Sequence, residues 1–514
     1  MNMKKMKRLV ALALSVVMVL AMSVVAFAAE TKHRITVKDT DDHSYAIYQI
    51  FTGDFAKNTL SNVKWGINGT GTTGDAVDDS TLKSLTDVNS KSEREILEVV
   101  ENHADLINTD PVATVDKDTP YEAVPGYYLI KDAAELANTD TYTTYIVKVV
   151  GENVEIVRKA NVPSFEKKIK DTNDTTGDTT DWQDSADYDI GDQVPFKLEG
   201  TVASNYDAYK TYYFAFHDKE ETGLTFNRNS VKVYVDNTEI KTGFTVNTGE
   251  DVLETEETEP KCTFEVVFNN LKDLKDVNND SLVKAGSKIR VEYTSELNSA
   301  AVLGSQGNVN KAKLVFSNNP KNEQVGKPDK PGETPWDNVI VFTYKVVVNK
   351  VDEKQEPLKG AEFTLSKKLK DGTTKDIAVV KGDNGTSFTF RGLDDGDYIL
   401  RETKTPAEYN TMKDITFTVT ANHEIQWPED KVRTDILTSL TGNAASGEIT
   451  FSPVNGTEEE GNAANAGLST TVINKKGSSL PSTGGIGTTI FYVVGGILMA
   501  GAAVLLITKR RAEN

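Results

Sequence analysis

The segment Val346-Val347-Val348-Asn349-Lys350-Val351-Asp352 alternates strictly between two sets of side chains. In an extended strand this alternation places Val346, Val348 and Lys350 on the same face. A lysine on an apolar face is costly unless its charge is paired or its amine reacts. The segment therefore predicts a core β-strand that carries one chemically unusual lysine.

The same alternation recurs along the 514 residues of the chain in segments separated by Gly, Asn and Asp turns. Examples are His33-Arg34-Ile35-Thr36-Val37, Thr144-Tyr145-Ile146-Val147-Lys148-Val149-Val150 and Ser387-Phe388-Thr389-Phe390. Many short strands of this kind favour β-sandwiches. We therefore expect a mainly all-β chain of tandem immunoglobulin-like sandwiches. Some helix is expected in the first domain, where Ser92 to Ile107 has an apolar face of helical period formed by Ile96, Val99, Val100, His103 and Leu106.

Changes in composition divide the chain into domains. A boundary is expected at Asn161-Val162-Pro163, and a semi-rigid linker is expected where Pro320, Pro328, Pro331 and Pro335 cluster. The predicted units are a signal peptide at 1–28, an N-terminal domain at 29–160, a middle domain at 161–320, a Pro-rich linker at 321–338, a C-terminal domain at 339–475 and a tail at 476–514.

Both ends of the chain carry targeting signals. Four basic residues precede an apolar stretch that closes with Ala26-Phe27-Ala28, which predicts a secretory signal peptide rather than a membrane anchor. At the other end, Leu480-Pro481-Ser482-Thr483-Gly484 is followed by an apolar run and by Lys509-Arg510-Arg511. The run is about long enough to span a bilayer, and the basic cluster should stay inside the cell. This arrangement resembles a wall-sorting signal, which a sortase cuts between Thr483 and Gly484.

Composition excludes several classes of function. The formal charge is −20, and it becomes −26 without the two processed ends, which hold seven basic residues and one acidic residue. Binding to nucleic acid is therefore not expected. Cys262 is the only cysteine, so no internal disulfide can form, and a small buried strand residue is the simplest interpretation of it. The histidines show no metal-ligand spacing, and Asp276-x-Asn278-x-Asp280 lacks the glycine and the glutamate of a calcium loop. No metal, cofactor or active site for an external substrate is expected.

The stretch from Arg158 to Asp171 resembles the junction between the first two domains of sortase-assembled major pilins of Gram-positive bacteria. In that family a lysine at this junction accepts the sorting threonine of the next subunit, and Lys159 occupies its place. Val157-Arg158 stands where the family usually has Tyr-Pro. Lys168 and Lys170 are the alternative acceptors.

The last domain resembles collagen-adhesin B-type modules, in which a Lys on the first strand and an Asn on the last form an amide bond without an external enzyme. The segment from Asp397 to Tyr409 resembles the family's Tyr-x-Leu-x-Glu element, with Glu408 in place of the usual Gly. The resemblance implies that Lys350 is the nucleophile, Glu402 the assisting acid and Asn474 the acceptor. A buried Lys–Glu ion pair beside an unrelated Asn is the alternative.

The middle domain resembles the fimbrial modules of the same pilins. Phe165, Lys167 and Ile169 share one face, which favours Lys167 over Lys168 as the nucleophile. The resemblance implies Asp218 as the acid, because Thr222-Gly223-Leu224-Thr225-Phe226 follows it. Alternation along the last strand favours Asn310 over Asn308 as the acceptor. No crosslink is expected in the first domain.

Together these features predict a structural subunit of a covalent surface pilus, secreted and finally attached to the peptidoglycan of a Gram-positive cell wall. The expected partners are a pilus-type and a housekeeping sortase, identical subunits and minor pilins. The class also allows a host-surface receptor, which the sequence does not identify. The alternative is a monomeric wall-anchored adhesin, or a minor pilin that accepts no subunit at Lys159.

Overall fold

The computed structural model describes residues 32–38, 42–56, 59–86, 100–133, 146–157, 162–252, 262–382, 384–457, 464–477 and 486–512. The predicted signal peptide, Lys159 and the pentapeptide Leu480 to Gly484 lie outside these residues. β-Strands are the predominant regular structure of the described residues, which confirms the predicted fold class. Short 3-10 helices occur at Tyr206–Ala208, Gly249–Asp251, Leu271–Asp273, Gly304–Gln306 and Arg433–Asp435.

In its described residues, the first unit has two small sheets and a short helix. Its elements are β1 (His33–Val37), β2 (Tyr45–Ala56), β3 (Thr59–Trp65), α1 (Asp79–Thr86), β4 (Ala113–Val115), β5 (Tyr121–Ala123), β6 (Gly126–Asp132), β7 (Ile146–Val150) and β8 (Val154–Ile156). The sheets have the orders β5-β1-β8 and β3-β2-β6-β7, with β4 beside β2. The described part of the predicted Ser92–Ile107 helix begins at Val100, which is helical and buried in the core. Helix α1 was not predicted.

The middle unit is a sandwich of two sheets. Its strands are β9 (Ser164–Ile169), β10 (Ser185–Asp187), β11 (Gln193–Thr201), β12 (Phe214–Glu220), β13 (Leu224–Val235), β14 (Thr238–Ile240), β15 (Thr245–Thr248), β16 (Phe264–Phe268), β17 (Lys288–Leu297), β18 (Asn308–Phe316), β19 (Gly332–Glu333) and β20 (Asp337–Phe342). One sheet runs β10-β20-β18-β12-β16-β15, with β19 beside β18, and the other runs β14-β13-β17-β11-β9. Aromatic side chains from both sheets, including Phe196 and Phe214, fill the space between them.

The last unit is a second sandwich. Its strands are β21 (Tyr344–Val351), β22 (Glu362–Lys368), β23 (Thr374–Ile377), β24 (Val379–Lys381), β25 (Ser387–Leu393), β26 (Gly396–Lys404), β27 (Ile415–His423), β28 (Leu437–Asn443), β29 (Ser452–Val454) and β30 (Gly467–Ile473). The sheets have the orders β24-β25-β21-β30-β29 and β23-β22-β26-β27-β28. First strand β21 and last strand β30 are parallel neighbours.

Helix α2 (Ile486–Ala512) follows the last sandwich. It ends with Lys509, Arg510 and Arg511 in its final turn. Its Ile490–Arg511 portion is long and apolar enough to cross a membrane. The helix therefore agrees with the apolar run and basic end predicted for the tail.

Strand β20 contributes to two hydrophobic cores. Val339 and Val341 pack in the core of the middle sandwich, whereas Ile340 and Phe342 pack in the core of the last one. This follows from strand geometry, because successive side chains point to opposite faces. The two sandwiches are therefore joined through a shared strand, and β21 continues from it after Thr343.

The predicted Pro-rich linker differs from the structure. Gly332 and Glu333 pair with β18, and β20 begins at Asp337 in the middle sheet. The segment before them also binds the middle domain, since the hydroxyl of Thr211 donates to the carbonyl of Gln324 at 3.0 Å. The Pro-rich segment therefore lies against the middle domain, where these backbone and side-chain contacts hold it.

Ion pairs reinforce the contact between the two sandwiches. The guanidinium of Arg433, in the last unit, donates to both carboxylate oxygens of Glu221 in the middle unit at 2.7 and 2.8 Å. Buried Lys367 donates to Asp394 and lies 3.5 Å from the carboxylate of Asp189 across the boundary. These carboxylates raise the pKa of Lys367 despite its burial. Lys367 is therefore charged and paired.

Candidate crosslinking sites

Lys167 projects from edge strand β9 into the space between the two middle sheets. Its side chain is fully buried, and its ammonium nitrogen lies 5.2 Å from the ring centroid of Phe196. Lys167 Nζ donates to Asp218 on the opposite sheet and to the hydroxyl of Tyr293 at 2.7 Å. The backbone N–H of Lys167 donates to Asp337 at 2.7 Å, which fixes β9 against β20. Alternation along β9 thus brings the predicted nucleophile to the predicted acid.

Asn310 enters the same space from β18. Its Nδ2 donates to the Tyr293 hydroxyl at 2.9 Å and lies 3.4 Å from a carboxylate oxygen of Glu220, its cross-strand partner in β12. The Tyr293 hydroxyl donates in turn to Asp218 at 2.7 Å. The phenol oxygen therefore contacts the amine, the acid and the amide at once. Asn310 Oδ1 is buried without a hydrogen-bond partner among the described residues.

The alternative acceptor, Asn308, performs a different task. Its Oδ1 accepts the backbone N–H of Val302 at 2.8 Å, and its Nδ2 donates to the carbonyls of Val302 and Val341 at 3.0 and 3.2 Å. These bonds use the amide to hold the turn before β18. Asn308 is therefore engaged with backbone, whereas Asn310 faces the lysine and the acid.

Burial sets the protonation of the middle site. Desolvation lowers the pKa of Lys167, although the neighbouring Asp218 carboxylate opposes that shift. Desolvation also raises the pKa of Asp218, and Lys167 opposes that shift too. The pKa of Glu220 rises to about 8, first through desolvation and then through repulsion by Asp218. Low polarity thus favours a neutral amine beside a protonated carboxyl.

The last sandwich brings together Lys350, Glu402 and Asn474, all nearly or fully buried. Lys350 lies opposite Val472 in the parallel pair of β21 and β30, and Asn474 follows two residues later. Asn474 Nδ2 donates to the two carboxylate oxygens of Glu402 at 2.8 and 3.0 Å. Its backbone N–H donates to the carbonyl of Val351 at 3.1 Å. The acid is therefore bound to the predicted acceptor.

Among the described residues, no carboxylate is hydrogen-bonded to the amine of Lys350. Its Nζ donates to the carbonyls of Val351 and Val472 at 3.1 and 3.2 Å. Burial lowers the pKa of Lys350 to about 8, and the more distant charges of Glu402 and Asp352 oppose that shift. A simple buried Lys–Glu ion pair would instead place the two charges in contact. The observed contacts differ from that alternative.

Two residues of the middle site were not predicted. Tyr293 follows Ile289 and Val291 on the inward face of β17, so its period-two position was visible, but nothing in the local sequence indicates which residues it faces. Glu220 shares a face with Asp218 in β12 and also accepts the hydroxyl of Ser295. Only the packing of two sheets shows that both reach Asn310.

The alternative acceptor lysines are engaged locally. Lys168 Nζ donates to Asp184 at 2.6 Å, and Lys170 Nζ lies 5.0 Å from the ring centroid of Trp182. Lys159 and the pentapeptide from Leu480 to Gly484 lie outside the described residues, so their roles remain predictions.

Two family models match the chain. A model of the prealbumin-like SpaA domain matches residues 344–431, and a model of the LPXTG cell wall anchor motif matches residues 473–514. The trypsin-resistant surface T6 protein of Streptococcus pyogenes serotype M6 is 29% identical over 398 residues, which cover 69% of this chain and 70% of that protein.

The chain is similar to solved structures of pilins. The T6 backbone pilin of serotype M6 Streptococcus pyogenes, described as a modular three-domain structure, superimposes with a TM-score of 0.50 at 18% identity and covers 88% of this chain and 100% of that one. The full-length major pilin SpaD of Corynebacterium diphtheriae has a TM-score of 0.45 at 16% identity, with 89% and 100% covered. The similarity to the T6 backbone pilin is a similarity of fold.

Proposed function

We propose that this chain is a cell-wall-anchored structural subunit of a surface pilus, of the sortase-assembled Gram-positive backbone type, and that it is polymerised by transfer of Thr483 to Lys159 of the next subunit. The anchor motif supports a sortase as the enzyme and peptidoglycan as the final acceptor. Minor pilins and a host-surface receptor are further proposed partners.

We also propose that Lys167 and Asn310 form an intramolecular amide. The observation that carries this is the shared contact of Lys167 Nζ and Asn310 Nδ2 with the Tyr293 hydroxyl beside Asp218. Transfer of a proton from the ammonium to Asp218 leaves a neutral amine and a neutral acid, which the dry site favours. The amine then attacks Cγ of Asn310, the C–Nδ2 bond breaks, and ammonia leaves.

Tyr293 is placed to move the protons of this reaction. Its hydroxyl lies between the acid and the leaving nitrogen, so it can donate its proton to Nδ2 while it receives one from Asp218. Proximity within the fold replaces an external enzyme.

A second amide is proposed between Lys350 and Asn474. Glu402 already binds the carboxamide of Asn474, and the lowered pKa of Lys350 increases the fraction of neutral amine. As the amine of Lys350 attacks Cγ of Asn474 and the C–Nδ2 bond breaks, Glu402 would carry the proton from the amine to the departing ammonia. The parallel pairing of β21 with β30 supplies the proximity.

The two proposed bonds shorten the part of the chain that bears load. With Lys167 tied to Asn310, tension from the first unit enters β18 directly and reaches β20, which is paired with β18. It then continues into β21 and leaves through the bond from Lys350 to Asn474. The segments inside both loops are bypassed, so pulling does not peel their strands apart.

Intact-mass measurement of the mature chain tests the crosslinks, since each bond removes one ammonia. We expect a deficit of two ammonias in the wild type. A single deficit that persists in Asn310→Ala would restrict the chemistry to the last domain, and an unreduced mass would refute both bonds.

A further inference from the structure

A cluster of three potential metal ligands lies on the face of β12 opposite to the crosslinking site. His217, Cys262 and Glu265 each offer one ligand atom, and these atoms all lie within 4.8 Å of one another. The three residues are 1%, 5% and 0% exposed. The cluster combines an imidazole, a thiol and a carboxylate, so it is more than an isolated cysteine or a group of acids.

Strand pairing creates the cluster. His217 and Glu265 are direct cross-strand partners in β12 and β16, and Cys262 lies just before β16 begins. His217 Nε2 is 3.5 Å from Glu265 Oε1. The other carboxylate oxygen of Glu265 accepts Nδ2 of Asn247 from β15 at 3.3 Å. This outer contact orients the carboxylate so that one oxygen faces the histidine, as supporting residues do around metal ligands.

We propose that His217, Cys262 and Glu265 bind a divalent cation of zinc type. Nitrogen, sulfur and oxygen ligands together suit zinc, whereas calcium and magnesium require oxygen. A tetrahedral zinc ion holds its ligand atoms roughly 3.3–3.6 Å apart. The His217–Glu265 separation of 3.5 Å already fits this spacing, and the Cys262 sulfur lies within 4.8 Å of both other ligand atoms. Binding converts the Cys262 thiol into a metal thiolate and releases one proton, and water completes the coordination.

The surroundings of the His217 cluster are apolar. Nearby on the same face, Tyr213, Ala215, Val267 and Val315 form a small apolar cluster. A cation bound here would lie beside a buried carboxylate and a buried imidazole nitrogen, where low polarity strengthens its contacts with both. The metal would join β12 to the start of β16 in a chain whose single cysteine allows no internal disulfide.

Two other acidic clusters are explained without a metal. His423 lies 3.3 Å from Asp171 and 3.7 Å from Asp187, and these carboxylates raise the pKa of His423 to about 10, so it is a cation rather than a ligand. In the Asp174, Asp192 and Asp394 cluster, Lys367 supplies the positive charge. The His217 cluster differs from both because it contains a thiol.

Cobalt is the probe that distinguishes this site. The purified mature chain is treated with chelator, desalted and titrated with Co²⁺ while the near-ultraviolet thiolate-to-cobalt band and the visible bands are recorded. We expect both to saturate at one equivalent and to disappear when Zn²⁺ is added. Cys262→Ser should abolish the thiolate band, and His217→Gln should weaken binding at least tenfold, whereas His33→Gln should leave the titration unchanged.

Folding of each variant is checked by near-ultraviolet circular dichroism. A Glu265→Gln variant provides a second test, because it keeps the thiol and should still bind more weakly. Zinc should also raise the Tm of the wild type and not that of His217→Gln. The proposal is overturned if the wild type gives no thiolate band, or if folded Cys262→Ser binds cobalt as the wild type does, which would indicate surface ions only.

Discussion

Lys167 and Asn310 donate to the same atom, the hydroxyl oxygen of Tyr293, from opposite sheets of the middle sandwich at 2.7 and 2.9 Å. Asp218 accepts from the same hydroxyl and from the lysine. An amine, an amide and an acid thus meet in a dry interior. The predictions below follow from this arrangement and from its counterpart in the last sandwich.

Removing the acid should abolish the middle crosslink alone. Asp218→Ala leaves Lys167 without its proton acceptor, so the mature chain should lose one ammonia instead of two. Because the bond closes a loop of more than a hundred residues, its loss should cost roughly 4–5 kcal/mol by the disulfide analogy. Intact mass and thermal unfolding measure the two effects, and the Lys350–Asn474 bond serves as an internal control. If the variant still lost two ammonias, Asp218 would be dispensable for the middle bond.

Removing the hydroxyl oxygen of Tyr293 should separate the role of this residue as a proton relay from its role in packing. In Tyr293→Phe the ring keeps its stacking on Phe196, but the contact between Asp218 and Nδ2 of Asn310 through the hydroxyl is lost. We expect the fold to persist and the middle bond to form at least tenfold more slowly, as followed by mass after a pulse of synthesis. Tyr234→Phe, on neighbouring strand β13, is the matched control. Equal rates in both variants would exclude the relay.

The uncrosslinked last domain should show a pH dependence caused by Lys350. In Asn474→Ala the amine stays free, with a pKa of about 8 when folded against an ordinary value of 10.5. The unfolded state binds more protons between these values, so stability should rise with pH from about 8 to 10.5 and be flat below that window. The double variant with Lys350→Met should lack this rise. Melting curves across the window measure the difference, and identical slopes would contradict a buried neutral amine.

The acceptor lysine can be identified by polymerisation with a pilus-type sortase. Lys159→Ala should abolish the high-mass ladder, because the thioester at Thr483 then has no amine to attack it. The Lys170→Ala variant should polymerise normally, since the Lys170 side chain lies over the ring of Trp182. If the ladder persists in Lys159→Ala and disappears in Lys170→Ala, the acceptor is the alternative residue. Absence of any ladder in the wild type would favour a monomeric adhesin or a minor pilin.

The sequence predicted much of this protein because the relevant signals are local. Alternation in segments such as Val346–Asp352 gave the all-β fold class, and the anchor motif gave its cell-wall location. The same period of two placed Lys167 on an inward face. These inferences need only the geometry of one strand, so neighbours in sequence are sufficient for them.

Other features arise only when distant strands pack together. The sequence suggested a proline-rich spacer before the last domain, yet β20 forms there and serves two cores at once. Tyr293 and Glu220 gave no local sign of reaching Asn310, and the proximity of His217 to Cys262 depends on the pairing of β12 with the segment around β16. Register and sheet stacking decide such contacts, because they bring together residues whose separation along the chain carries no information about their distance in space. The sequence alone determined the strands, their faces and the cell-wall anchor signal, and the tertiary structure decided which buried groups meet.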